Sequence, residues 1–426
     1  MVDDTTFAAY VGIDWADETH AVCLASGQCE RYEEFQLPQS ANAIDDWATD
    51  LRARFGGRPV AVCLEQSRGA LVYALMKYEF LVLFPVNPKQ LASYREAISP
   101  SGAKDDPSDA RLLCEFLSLY HTRLRAWQPD DVTTRTIALL AEARRKLVDD
   151  RTRLGNRLQQ QLKQSFPLAL ELLDGRAVYT DWFLRLLLKY PTHKCLQRAA
   201  PRTLERMLPR LRRREEGPDP RVALIRSAKA LVTDPALILA GELEIQCLAA
   251  QILQLNSAIA EHERRLQKLM AEHPDAPLFS SLPGAGDVLA PRLLAAFGTD
   301  RNRHASAEEV QQYSGIAPVT KRSGKTRLVH RRLACPKFLR QTFHEFAGNS
   351  LKKSQWARAY YMMLRSRGKG HHASVRSLAF KWIRVIFRCW KDRVPYSESQ
   401  YLDRLHKKNS PLLNHLPAPT TAAAAT

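Results

Sequence analysis

Two apolar, strand-like runs in this chain end on a carboxylate: Tyr10-Val11-Gly12-Ile13 delivers Asp14, and Pro59-Val60-Ala61-Val62-Cys63-Leu64 delivers Glu65. A third stretch, Gly102-Ala103-Lys104-Asp105-Asp106-Pro107-Ser108-Asp109-Ala110-Arg111, opens a helix. In it Asp106 fits the N-cap, Pro107 the first helical position and Asp109 the third. That spacing turns Asp106 and Asp109 toward one side of the helix start. If the two strand ends project there too, four carboxylates meet. Such a cluster is repulsive and raises its own pKa values unless cations neutralise it, and two hard, oxygen-preferring ions such as Mg²⁺ do so. The matching chemistry is metal-assisted attack at a phosphate. Three of the four also have an ordinary explanation, Asp14 as a turn cap and the Asp106/Asp109 pair as a capping box.

The surrounding pattern indicates the elements that must position these acids. Residues 8–36 read as three short strands, 9–13, 20–25 and 32–36, and a helix spans 41–55. Strand 59–64, a helix at 71–78 and a buried strand at 80–85 follow. Hairpin strands and then alternating helix and strand predict a mixed-sheet α/β domain over residues 1–128.

From Asp131 to Phe166 the pattern is helical, with Leu140, Leu147 and Leu154 spaced by seven and Leu158 and Leu162 following. Its other faces carry Arg144, Arg145 and Arg151, cations suited to tracking a phosphate backbone. Residues 176–240 read as an irregular helical insertion with a basic run at 210–214 and no assignable chemistry. Ile245, Leu248, Ile252, Leu255, Ile259, His262, Leu266 and Leu269 then occupy successive a and d positions. They predict a coiled coil whose seam closes either on the 131–166 helix or on another subunit, with His262 setting register or pairing across it. The helical region spans 129–273.

After Pro274 the chain reads as a mainly helical domain, 274–400. Leu282-Pro283-Gly284-Ala285-Gly286 has the form of a helix-hairpin-helix turn in which Gly284 and Gly286 let backbone amides approach phosphate; a plain helix connection explains it equally. Tyr313-Ser314-Gly315-Ile316-Ala317-Pro318 precedes a polar loop, Lys321 to Arg327. Residues 321–393 hold 20 Lys and Arg against two acids, Glu345 and Asp392, with core aromatics interleaved. The expected nucleic-acid surface is Lys321, Arg322, Lys325, Arg327, Arg331, Arg332, Lys352, Lys353, Arg365, Arg367 and Lys369, joined by Lys104. The tail, 401–426, ends in low-complexity sequence and reads as disordered.

Composition agrees. Across 426 residues, 63 Lys and Arg face 45 Asp and Glu, for a net charge of +18. That excess predicts a polyanionic partner, nucleic acid before membrane. No run approaching the ~20 apolar residues of a membrane span and no signal peptide are evident, which predicts a cytoplasmic protein. The eight cysteines lack a C-x-x-C pair and read as reduced core residues, with neither zinc nor disulfides indicated.

The order of acids, helical linker and basic domain with a Ser-Gly loop resembles the bridge-RNA-guided DEDD transposases of bacterial insertion sequences, the IS110 family. The matching pieces are Gly12-Ile13-Asp14, Leu64-Glu65, Lys104 with Asp106-x-x-Asp109-Ala110-Arg111, Pro283-Gly284-Ala285-Gly286, Tyr313 to Pro318, and Ser323-Gly324, spread over nearly the whole chain. The resemblance implies an RNase H-like (RuvC-type) N-terminal domain, a helical coiled-coil linker and a mainly helical C-terminal transposase domain. It further implies Mg²⁺, two ions per site, on Asp14, Glu65, Asp106 and Asp109, with Asp105 the alternative to Asp106. Ser323 is then the nucleophile, forming a covalent phosphoserine with DNA while Lys321, Arg322, Lys325 and Arg327 surround it with charge.

The partners implied are donor and target DNA, a structured noncoding guide (bridge) RNA, and copies of the chain itself in a dimer or tetramer, acids and serine coming from different subunits. The implied setting is the bacterial cytoplasm, at the nucleoid. After the loop this chain reads Val329-His330-Arg331-Arg332-Leu333-Ala334-Cys335-Pro336, where the family has a glycine-rich stretch. Two other readings compete: a metal-dependent nuclease or Holliday-junction resolvase using water, and a nucleic-acid-binding scaffold without catalysis.

Overall fold

The computed structural model describes residues 7–26, 31–65, 68–98, 106–210, 219–324 and 326–416. Lys104, Asp105, Lys325, most of the basic run at 210–214 and the tail from 417 lie outside the described residues, as does the side chain of Asp106. The chain forms two compact units, Met1–Pro129 and Asp130–Thr426. Charge changes sign between them: the first holds 12 Lys and Arg against 18 Asp and Glu, the second 51 against 27.

In the first unit β1 (Ala9–Asp14), β2 (Thr19–Ser26) and β3 (Tyr32–Pro38) form a meander. Then come α1 (Ala41–Arg54), β4 (Val60–Leu64), α2 (Ala70–Leu75), β5 (Leu81–Pro85), α3 (Pro88–Ile98) and α4 (Asp106–Tyr120). The sheet order is β3-β2-β1-β4-β5, antiparallel through β1 and parallel from β1 to β5. One face of the central strands, Val11, Ile13, Val62 and Leu64, packs with Ile44, Leu51, Leu71 and Leu75 of α1 and α2. The other face, with Gly12, Ala61 and Cys63, is covered by α4. Helices on both faces explain why β4 reads as an unbroken apolar run.

The second unit begins with α5 (Val132–Ser165), capped by Asp131, and five short helices follow: α6 (Leu168–Glu171), α7 (Asp181–Lys189), α8 (His193–Gln197), α9 (Pro201–Met207) and α10 (Pro220–Ser227). After α11 (Pro235–Glu272) come α12 (Ala276–Ser280), α13 (Gly286–Phe297) and α14 (Ala307–Tyr313). The hairpin β6 (Val319–Ser323) and β7 (Thr326–His330) leads to α15 (Lys337–Ser350), α16 (Gln355–Ser366), α17 (His371–Asp392) and α18 (Glu398–Lys407).

The long helices α5 and α11 pack antiparallel, with Thr134 opposite His273, Arg144 opposite Glu263 and Arg157 opposite Glu244. The apolar seam of α11 therefore closes on α5 within the same chain. On α5 the residues that are buried or paired with α11 include Ile137, Ala141, Arg144, Arg151, Leu158 and Leu162, and the buried Gly155 meets Val178 and Tyr179. The leucines at 140, 147 and 154 are only half-buried on its flank, because the seam is offset from them. His262 is half-buried and turns its Nδ1 to the Ala258 carbonyl of its own helix, 2.8 Å away.

One end of the pair, at Ile137, Ala141 and Leu266, belongs to the core of the C-terminal helices with Phe297, Trp356, Trp382 and Trp390. The other, at Leu158, Leu162, Ile245 and Leu248, packs with the short helices through Phe183, Leu187 and Leu204.

Three expectations need correcting. The stretch from 401, expected to be disordered, is helical over much of 401–415, because Leu402, Leu405 and the buried Leu412 pack on the C-terminal core. The helix α11 is long and apolar enough to cross a membrane by length and composition, because its buried seam is joined by exposed Leu237, Leu239 and Leu243. Among the cysteines, Cys23, Cys63 and Cys114 are buried, but Cys195 and Cys247 are exposed.

Candidate functional site

Gly12 fixes where α4 lies against the sheet. A Cβ there would collide with the Ala110 carbonyl oxygen and sit 2.5 Å from the Cys114 amide nitrogen, so α4 lies with its backbone directly on β1. Ala21, Cys23 and Ala110 keep this contact thin, and Cys114 donates its Sγ–H to the Tyr10 carbonyl at 3.2 Å. Helix residues 110 to 114 thus run beside strand residues 12 to 10, in the opposite sense, and the first turn of α4 lies toward Asp14.

Strand alternation puts Asp14 on the α4 side with Tyr10 and Gly12. The parallel register pairs Gly12 with Cys63 and Ile13 with Leu64, so Glu65 follows as the neighbour of Asp14 on that side. Glu65 is near enough to Cys63 to add to burial in pushing that thiol's pKa up.

The helix α4 starts at Asp106, so Asp106 is its first residue rather than the cap, and the three-residue step to Asp109 is retained. Asp14 and Glu65 are half-buried, and Asp109 is 4% exposed. Asp109 is ion-paired with Arg95 of α3, a partner the sequence did not point to because only the tertiary fold brings α3 against α4. Among the described residues no three His, Cys, Asp or Glu side chains form a group that could hold a metal ion. The donor types are all carboxylate, which suits a hard cation such as Mg²⁺.

Ser323 sits in a different kind of place. The expected polar loop is a β-hairpin, with Lys321 paired to Leu328, Arg322 to Arg327 and Ser323 to Thr326. Val319, Thr320, Thr326 and Val329 favour extended backbone, and Gly324 at φ +52° meets the left-handed requirement of a two-residue turn.

Every described residue from Thr320 to Val329 is exposed. Alternation places Lys321, Thr326 and Leu328 on the face of Ser323, and Arg322 with Arg327 on the opposite face. The cations therefore do not encircle the serine: of the four expected, Lys321 shares its face and two lie behind it. Arg322 and Arg327, directly opposite one another across the strands, repel unless an anion lies between them. At the hairpin base, Gly315 (φ +71°) leaves room for Cys335, whose Sγ a side chain there would strike.

The remaining basic residues divide into two groups. Arg331, Lys352, Lys353, Arg365, Arg367 and Lys369 are exposed, and Arg332 is half-buried. Burial, then Arg331 and Arg340, push the Arg376 guanidinium's pKa down, marking a crowded cationic patch beside the hairpin. Both acids of this stretch are committed, Glu345 to Arg145 and Arg292, Asp392 to Arg388.

On α5 the structure corrects the expectation of phosphate-tracking arginines. Arg144 pairs with Glu263, Arg145 with Asp149 and Glu345, and Arg151 donates to Asn256 at 3.2 Å while lying over the Tyr179 ring. Arg144 and Arg151 fall on the seam, where polar partners on α11 answer them.

Gly284 has a packing constraint of its own. At φ +85° a Cβ on it would lie 2.9 Å from the Asn349 carbonyl carbon and oxygen, so this glycine packs against the end of α15. Gly286 is exposed, with nothing within 4 Å of its would-be Cβ. Neighbouring Ala285 and Val288 border a cavity of about 550 Å³ that Arg145, His344, Asn349 and His371 also line.

Two family models match the chain. Residues 11–167 match the DEDD transposase model of the IS110 group, and residues 276–362 match the transposase IS116/IS110/IS902 family. The chain is 29% identical over 425 residues to the IS117 mini-circle protein of Streptomyces coelicolor, covering 93% of this chain and 97% of that one. It is 24% identical over 404 residues to the insertion element IS110 protein of the same organism, at the same coverage. To the IS900 protein of Mycobacterium paratuberculosis it is 26% identical over 357 residues, 82% of this chain and 84% of the other. The matched stretches contain Asp14, Glu65, Asp106, Asp109 and Ser323.

Proposed function

The chain belongs to the IS110 family of transposases, and on that premise we propose that it is an RNA-guided DNA recombinase that moves its insertion sequence through a phosphoserine intermediate. The observation that carries this reading is Ser323, exposed at a hairpin tip and opening a basic stretch, residues 321–393, whose two acids are paired with arginines. The sheet order, with three antiparallel strands and then two parallel ones, supports an RNase H-like (RuvC-type) first unit. Asp14, Glu65, Asp106 and Asp109 are the residues that would hold Mg²⁺, which when bound supplies positive charge to the attacking and departing oxygens.

Ser323 Oγ bonds to a DNA phosphorus as the bond from that phosphorus to the departing strand's oxygen breaks. The proton lost by the hydroxyl is balanced by the one the departing oxygen takes up. One phosphoester replaces another, so a second strand end can reverse the step and release the serine without ATP. Lys321, on the serine's own face, is placed to neutralise the phosphate under attack, and Arg322 with Arg327 to hold a neighbouring phosphate from behind. Target choice rests on pairing with the guide RNA, and the cations supply sequence-tolerant affinity. A dimer or tetramer brings one subunit's acids to another's serine.

The test is a trapping assay with the element's flanking noncoding RNA, labelled DNA and Mg²⁺, followed by denaturation. Label migrating with protein, and lost in both Ser323→Ala and Asp14→Asn, is the expected result. Cleaved DNA without an adduct, unaffected by Ser323→Ala, would instead identify a hydrolytic nuclease.

A further inference from the structure

The C-terminal helices hold a cavity that the recombination chemistry leaves unused. It measures about 430 Å³ and lies between the second half of α17 and α18, beyond both family-matched stretches. Its half-buried lining is apolar and aromatic, with Val385, Cys389 and the rings of Tyr396 and Tyr401. Those rings are held firmly. Tyr401 packs tilted against Trp356, centroids 4.7 Å apart and planes at 37°, and the Tyr396 hydroxyl donates to Glu398 at 2.6 Å and accepts from the Trp356 indole at 2.7 Å.

The rim is cationic. Lys381, Arg384 and Arg388 follow one face of α17, and Arg404 faces them from α18. Asp392 is the acid at this rim, and it is paired with Arg388. Lys381, Arg384 and Arg404 make no ion pair among the described residues. The Lys381 ammonium lies over the rings of Tyr360 and Trp356, at 4.6 and 5.3 Å, and burial followed by Arg384 pushes its pKa down. An anion at the mouth would relieve that repulsion.

An aromatic floor beside three cations without an ion pair, Lys381, Arg384 and Arg404, fits a planar, apolar-faced ligand attached to phosphate. The volume lies in the range of small-ligand pockets and accommodates one base with its sugar. Duplex DNA keeps its bases stacked and offers this site only phosphates, whereas a single strand offers both parts. We propose that the α17–α18 pocket receives one unstacked nucleotide of a single-stranded segment, DNA or RNA, with its flanking phosphates on Arg384 and Arg404. This rests on the reading of the chain as a nucleic-acid enzyme, but on neither Ser323 nor the acids.

The test measures binding of the full-length chain to short single-stranded DNA, single-stranded RNA and blunt duplex across a salt series. The Arg384→Ala/Arg404→Ala double variant removes two exposed rim charges. It is expected to weaken single strands about 10-fold and to lower the slope of log affinity against log salt by about 1.4, two phosphates' worth. Gln400→Trp, at an exposed pocket position, fills the cavity without changing charge. It is expected to weaken single strands at least about 5-fold, the loss of one base stack, while leaving duplex binding and the salt slope unchanged. The arm that loses more, DNA or RNA, identifies the source of the nucleotide.

Unchanged single-strand binding by Gln400→Trp, or equal losses for duplex and single strand, would overturn the pocket in favour of a plain charged patch. An acidic amphipathic peptide that binds wild type but not Gln400→Trp, with oligonucleotide affinity unaltered, would overturn it in favour of a protein groove. Ser323→Ala is expected to bind single strands like wild type, so these outcomes and those of the trapping assay fail independently.

Discussion

Asp14 stands at the end of a strand buried on both faces, whereas Ser323 stands at the end of a strand exposed on both. The first is fixed by a parallel register on one side, an antiparallel one on the other, and a helix pressed onto Gly12. The second has a single partner strand and an anchor only at its base. An isolated two-stranded hairpin is marginal by itself, so the serine's surroundings are completed by what binds them. Charge follows the same division, with acids in excess in the first unit and cations in the second. A metal-binding centre needs carboxylates held in place against their repulsion, while a phosphate-binding surface needs only exposed cations. Rigidity is therefore concentrated where the proposed metal centre lies.

That contrast can be broken most directly at Gly12. Gly12→Val is expected to cost at least about 3 kcal/mol or to prevent folding of the first unit, because the obstruction is helix backbone that cannot turn aside. Soluble yield and thermal unfolding read this, and a loss below about 1 kcal/mol would mean that α4 does not rest on β1.

In the second unit the comparable weak point lies beneath the surface. Arg292 is 2% exposed and bound to Thr342 and Glu345, so Glu345→Ala, which strands it, is expected to cost about 3 kcal/mol by denaturant unfolding.

A smaller effect follows pH. Burial, outweighing Asp131 and Asp275, holds the His273 pKa below its ordinary value of 6.5, and burial with His372 does the same to His344. As pH falls below about 6.5 the unfolded chain takes up protons at these positions that the folded chain does not, so stability falls with pH there. The expected loss is under about 1.4 kcal/mol per pH unit for each histidine. His273→Gln should flatten the profile of melting temperature against pH; an unaltered profile would remove His273 as the cause.

Smallest of all is Ser323→Ala, expected to shift stability by less than about 0.5 kcal/mol while abolishing the DNA adduct. A clear loss of stability would show the hairpin to be packed rather than open.

Much of the fold was legible. Strands β1, β4 and β5 announced themselves as apolar runs, and the 34-residue α5 was visible between its cap Asp131 and Phe166. The acid-bearing strand ends and the helix start were legible as positions, because strand alternation and cap chemistry are local. The roles of Arg144 and Arg151 were not. Their spacing from Ile137 and Leu158 matches the seam, but arginine there reads as surface until Glu263 and Asn256 are placed opposite. Arg95 carried no signal at all, since nothing near it in sequence relates it to Asp109. Around Ser323 the cations were visible but their faces were not, because a loop has no faces and a hairpin has two.

By itself the sequence determined the sheet strands, the two long helices, the charge asymmetry and the family, all of which depend on residue type and short-range period. Tertiary structure alone decided that α11 closes on α5, that Gly284 packs against α15, and that Arg322 and Arg327 stand behind the serine. The physical reason is that periodicity states which residues share a face, and only packing states what that face meets.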